Sequence, residues 1–229
     1  MPTLPGPPPV EITLRRSARA RRFSLRVSTH DGRVTLSLPL RARETEAMAF
    51  ARAQEGWIRQ ALDRMPPHQG VQTGALIPIE GALWRLEPTP GRRVLLDAGR
   101  VLVPGDAAQL GTRLAAFLKV MARERLLAAS DHYAALIGRK VSRVTLRDTR
   151  SRWGSCTADG ALMYSWRLIM APPSVLNYVA AHEVAHMVEM NHAPAFWAVV
   201  ERLFPDWQSE RAWLRTQGRA LQTIRFTPG

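Results

Sequence analysis

Residues 10–17 (VEITLRRS), 21–29 (RRFSLRVST) and 32–39 (GRVTLSLP) alternate apolar and polar positions, the period of half-buried strands. Asp31-Gly32 stands between the last two as a hairpin turn signal, so a small antiparallel meander is expected. From Thr45 to Met65 the apolar positions Met48, Phe50, Ala51, Trp57, Ile58, Ala61 and Leu62 change to helical spacing, and Pro66-Pro67 ends the run. Residues 74–104 return to short apolar segments punctuated by Gly and Pro, with Ala98-Gly99 as a second tight turn. From Ala107 to Ile137 the chain is rich in Ala and Leu, and Leu110, Leu114, Phe117, Leu118, Met121 and Leu126 mark one face of a long helix.

That change of pattern places a boundary near Gly105. A strand, KVSRVTLRD, follows at 140–148, then two more in SRWGSCTADGALMYSWRLIMA with a turn at Asp159-Gly160. Pro172-Pro173-Ser174 opens a further helix. The fold class is α+β: an antiparallel β-rich module with one helix over residues 10–105, then a domain over 106–229 in which a helix packs on a small sheet. The Pro-rich leader, residues 1–9, is expected to be disordered.

Composition adds a compartment and a charge. A single cysteine, Cys156, leaves no internal disulfide framework and fits a reducing compartment. No segment approaches the run of about 18 apolar residues that spans a bilayer, and the start lacks a signal-peptide pattern, so a cytoplasmic protein without membrane attachment is expected. The formal charge of +13 suits a polyanionic partner. Yet the excess is spread evenly, with 16 basic and 9 acidic residues in 1–105 against 16 and 10 in 106–229. Only the segment carrying Arg15, Arg16, Arg19, Arg21, Arg22 and Arg26 concentrates it, the candidate contact for a nucleotide or nucleic acid.

Candidate chemistry lies in HEVAHMVEMNH, residues 182–192, which holds three of the six histidines. On a helix turning about 100° per residue, His182 and His186 lie about 40° apart and can reach one ion. Glu183 sits beside that face, where its carboxylate can hold the ion's water as a general base. Leu176, Ala180, Val184, Met187 and Val188 form an apolar stripe on the other side. A catalytic zinc takes three protein ligands. His192 supplies the third if Asn191 ends the helix in a left-handed conformation just before Pro194 opens the next. Glu189 is the rival third ligand. The set would also accept other divalent transition metals.

The stretch 147–197, from RDTRSRWGSC through HEVAHMVEMNHAPAFW, resembles the YgjP-like metal-dependent hydrolases, a zincin-type group distantly similar to the SprT and WLM metalloproteases. RRSARARRFSLRVS, DGRVTLSLP and EGWI resemble it too, so the likeness spans nearly the whole chain. It implies a zincin-like catalytic domain with metal on His182, His186 and His192 and with Glu183 as base.

A positive or hydrogen-bonding group should face the oxyanion. Arg150, Arg152 and Tyr164 are the candidates, although an Arg near Asp148 also suits a salt bridge and a strand Tyr also suits the core. Cys156 reads first as a small buried residue, then as a masking metal ligand or a reactive thiol. The leading reading is a zinc metallopeptidase acting on peptides or proteins. Two others stay open: a metal-dependent nucleotide or nucleic-acid hydrolase, and a nucleic-acid-binding protein with a structural metal.

Overall fold

The computed structural model describes residues 2–28, 32–64, 69–149 and 151–226. The chain divides into two compact units, Met1–Pro67 and His68–Gly229, each with its own apolar core.

In the first unit β1 (Thr3–Leu4), β2 (Val10–Ser17), β3 (Ser24–Val27) and β4 (Val34–Pro39) form one sheet in the order β1-β2-β4-β3. It is not a meander, because β2 runs parallel to β4 while β3 pairs antiparallel on the other side. Packing explains the order. β4 buries every second residue, Val34, Leu36 and Leu38, and so takes the centre, while the Arg-flanked β3 takes an edge. Of the expected turn, Asp31 lies outside the described residues and Gly32 is left-handed at φ 68°.

The helical stretch divides into α1 (Glu44–Ala53) and α2 (Glu55–Asp63), since Gln54 leaves helical geometry at φ −103°, ψ 12°. Pro66-Pro67 lies outside the described residues. Ala47, Met48, Ala51 and Ile58 close the core against the sheet. The leader is ordered rather than loose: Leu4 is fully buried in β1, and the Arg59 guanidinium donates to the Pro5 and Pro8 carbonyls.

The second unit opens with β5 (Gln69–Gly70), β6 (Leu76–Ile79), β7 (Ala82–Thr89), β8 (Leu95–Asp97) and β9 (Arg100–Pro104), the last four in the order β6-β7-β9-β8. Glu80-Gly81 and Ala98-Gly99 both have positive φ, the geometry of two-residue hairpin loops, as expected at 98–99. α3 (Ala107–Leu136) follows, its first turn capped by the Asp106 carboxylate, which accepts from the Gln109 amide at 3.1 Å. The break does not fall at Gly105. Ile77, Ile79, Leu86, Val101 and Val103 share one buried core with Leu110, Leu114 and Leu118 of α3, so strands expected in the N-terminal module belong to the second unit. No described helix is long and apolar enough to cross a membrane.

β10 (Arg143–Arg147), β11 (Gly154–Cys156) and β12 (Ala161–Ser165) make a three-stranded sheet in the order β10-β12-β11, with β10 parallel and β11 antiparallel to the central β12. A 3-10 turn at Trp166–Met170 leads to α4 (Pro173–Ala185), α5 (Pro194–Leu203), α6 (Trp207–Thr216), α7 (Gly218–Thr223) and β13 (Ile224–Arg225), which pairs with β5. α4 is central, packed by α3, α5, α6 and β11.

Candidate metal centre and substrate cavity

The pattern along α4 suggested one apolar stripe with polar residues on a separate wet side. The helix is instead enclosed on most sides: Val175, Leu176, Tyr178, Val179, Ala180, Ala181 and Val184 are buried, and so are Glu183 and His186, while Val188, past the end of the helix, is exposed. Its end also differs. The helix stops at His186, and a tight turn follows in which the Met187 and Val188 amides donate to the Val184 and Ala185 carbonyls. Asn191 is not left-handed. Its Oδ1 accepts from the Ala193 amide at 2.9 Å and so sets the entry to α5, where Pro194 occupies the first turn.

That reversal brings His192 back over α4. Nε2 of His192 stands 3.2 Å from Nε2 of His182. Two imidazole lone pairs do not face one another at this distance without a proton or a cation between them. Two nitrogens held about 2.05 Å from one tetrahedral zinc are about 3.3 Å apart, so the spacing fits a shared ion. The third ring is already oriented. Nδ1 of His186 is 3.0 Å from the Glu189 carbonyl, which can only accept, so Nδ1 carries the proton and Nε2 is left with its lone pair. One donor atom from each ring lies within 4.8 Å of the others.

Electrostatics favour the ligating form. Burial pushes His182 down to about 3, with the neighbouring His186, His192 and Arg211 adding to the effect. Burial also lowers His186, partly offset by its bond to the Glu189 carbonyl. Phe196 of α5 supports all three rings, stacked on His186 at 4.4 Å and edge-on to His182 and His192 at 4.9 and 4.8 Å. Imidazoles locked by packing form a donor set suited to a divalent transition metal.

Glu183 is 6% exposed and leans on β11. A Cβ at residue 154 would lie 2.6 and 2.7 Å from its Cγ and Cδ, so only glycine there leaves room for the carboxylate. Burial raises Glu183 to about 8, opposed by the Arg152 charge. Glu183 and the histidines open on a cavity of about 430 Å³ whose apolar wall includes Trp153, Tyr178, Val179, Met190 and Leu214.

Residues 21–217 match the family described as YgjP-like, metallopeptidase domain. The chain belongs to that family. As a YgjP-like member it is a hydrolase, a metal-dependent peptidase, and its three clustered histidines could bind the metal the family implies. Among solved structures, the metallopeptidase zymogen abylysin of Pyrococcus abyssi is similar over 40% of this chain and 95% of its own, at 19% identity and a TM-score of 0.36, too slight a likeness to carry an argument. Comparison with curated proteins finds no match.

In this YgjP-like chain Arg152 lines the cavity, and Arg150 lies outside the described residues. Tyr164 does not reach the cavity. It is fully buried, its hydroxyl 3.0 Å from Ser130 Oγ of α3, and burial raises its pKa. The acid at 148 pairs with Arg167, and no ion pair to Arg152 is formed among the described residues. Glu189 contributes its carbonyl to His186 and is not among the clustered ligand atoms. Cys156 is also outside that cluster; it borders the cavity, donates to the Thr157 carbonyl, and is pushed up to about 11 by burial, so it stays a thiol at neutral pH. His30 and His68 lie outside the described residues, and His132 packs on Tyr133 away from the centre. Sequence reasoning passed over Tyr178, although it stands one helical turn before His182, its ring 5.9 Å away. It also passed over Met190 and Leu214. Nothing local marks Leu214, which reaches the cavity from α6.

Proposed function

We propose that this chain is a zinc peptidase in which His182, His186 and His192 hold the ion and Glu183 carries the proton. The observation behind it is the 3.2 Å approach of two imidazole nitrogens beside a buried carboxylate that faces the same cavity. Zinc held there would supply Lewis-acid polarisation of the scissile carbonyl and a bound water of pKa lowered toward about 7. The Glu183 carboxylate takes the proton of the attacking water and delivers it to the leaving amine. Its high affinity for a proton, created by burial, suits the first of these transfers.

Tyr178 replaces Tyr164 as the hydrogen-bond donor to the oxyanion. Burial pushes its phenol up to about 12, so it remains protonated while the carbonyl oxygen gains charge. Arg152, exposed at the mouth, adds positive charge to the same space. β11 is an edge strand whose residues border the cavity, so an extended peptide can pair with it and direct a side chain inward. The apolar wall supports peptides with an apolar residue next to the scissile bond.

The test combines metal analysis with a screen of unfolded proteins, a peptide library and nucleoside triphosphates, each with and without chelator. One zinc per chain and chelator-sensitive cleavage of peptides are expected, with Tyr178→Phe lowering kcat by on the order of 10² while zinc content holds. A protein purified without stoichiometric metal, or one that cleaves triphosphates alone, would sink the reading.

A further inference from the structure

We propose that the outer face of the N-terminal sheet binds the sugar-phosphate backbone of a nucleic acid. The pairing register defines that face. Ile12, Val34, Leu36 and Leu38 point inward under α1 and α2, so the alternate residues point outward. Thr13, Thr35 and Arg26 form one row across β2, β4 and β3, and Arg15, Ser37 and Ser24 form the next. The two arginines therefore stand on opposite sides of the central strand, about 10 Å across and about 7 Å along the sheet, with only hydroxyls between them. Arg19, Arg21 and Arg22 are exposed on the loop that joins β2 to β3.

These arginines are concentrated on one face and its adjoining loop, and they are uncommitted, whereas several others are engaged. Arg59, Arg100, Arg125 and Arg167 each pair with an acid. Arg16, at the end of the inner row, donates to the Leu40 and Ala42 carbonyls and is a structural clasp. No ion pair or side-chain hydrogen bond among the described residues engages the guanidinium of Arg15, Arg19, Arg21, Arg22 or Arg26. The unit's charge is uneven as well. It has 12 arginines and 6 acids; the helices that cover the inner face carry Glu44, Glu46, Glu55 and Asp63 against Arg52 and Arg59, and Glu11 is an acid on the outer face, two residues before Thr13.

Unpaired guanidinium groups supply forked donors for phosphate oxygens, and the Ser and Thr hydroxyls between them donate to the same oxygens without reading bases. A lipid surface fits less well. Peripheral membrane binding needs apolar side chains beside the cations, and neither Leu40 nor Trp57, this unit's exposed large apolar residues, belongs to these rows.

The experiment measures fluorescence anisotropy of labelled 20-nucleotide single strands, DNA and RNA, with the full chain in a salt series. Log affinity should fall linearly with log salt. Arg15→Gln with Arg26→Gln should reduce that slope by about 1.4 and weaken binding about 25-fold at 0.1 M salt, the release of two counterion contacts. Arg19→Gln with Arg21→Gln and Arg22→Gln, a second variant outside the strands, should act in the same direction. Arg92→Gln with Arg93→Gln, which removes two exposed charges from the other unit, should leave affinity within about twofold. Equal losses in the two double variants would reduce the effect to net charge and overturn the proposal. So would absence of binding to either strand at low salt, or binding only to phosphatidylserine vesicles.

Discussion

The C-terminal unit buries one charged side chain in each of two regions, and treats them in opposite ways. Arg167, 5% exposed, has a partner for each side of its guanidinium. It pairs with Asp148 at 2.6 and 3.2 Å, donates to the Leu221 and Ile224 carbonyls, and lies over the rings of Trp166 and Phe226. Glu183, 6% exposed, has no hydrogen bond among the described residues and faces a cavity. A buried charge that is fully matched joins segments distant in sequence. One left without a partner, its proton affinity raised by burial, is held ready for a ligand or a reaction.

Glu183→Gln should separate the two kinds of burial most sharply. Peptidase activity should fall by about 10²–10⁴-fold with zinc content intact. The metal-free protein should melt no lower than wild type, since no charge is lost from a bonded network. A lower melting temperature at pH 8 would assign Glu183 to structure, as Arg167 is.

Arg167→Met should do the reverse. It strands two backbone carbonyls and Asp148, at a cost on the order of 3 kcal/mol in urea unfolding, while activity per folded molecule is kept. Gly154→Ala tests how tightly the carboxylate is placed. The new Cβ displaces Glu183, so kcat should drop about hundredfold with zinc binding and the melt little changed. Unaltered turnover would mean that the carboxylate position is not critical.

The smallest expected effect is a pH profile of the chelated protein. Burial raises Glu183 from 4.5 to about 8, so the stability it favours is complete below pH 4.5 and is lost as pH rises through 8. Burial lowers His182 from 6.5 to about 3, so its contribution is complete above pH 6.5 and is lost as pH falls through 3. Between 4.5 and 6.5 the two slopes oppose each other. The melting temperature should be flat there and decline on both sides, by on the order of 2 kcal/mol between pH 6.5 and 8. Glu183→Gln should abolish the alkaline decline, and Arg167→Met should leave the shape of the profile alone.

Local periodicity made much of this legible. The long helix, expected at Ala107–Ile137, spans Ala107–Leu136, and the H-E-x-x-H residues lie on a helix and the turn that ends it. The strand order of the first unit was not legible, because alternation identifies a buried face without naming the neighbour. The placement of β6 to β9 with α3 escaped for the same reason. Composition changes at Gly105, but the core is continuous across it. Tyr164 was misplaced because a strand position does not tell which of two packed helices its hydroxyl meets.

The sequence by itself determined that His182 and His186 share a helical face and that a third histidine follows within reach. Those relations are local, set by the pitch of a helix. Only the tertiary structure decided that His192 closes on His182, that Gly154 yields its volume to Glu183, that Tyr178 and Leu214 border the cavity, and that Asp148 belongs to Arg167. Those contacts join elements far apart in sequence, and they are selected by how buried surfaces fill space together, which no spacing along the chain records.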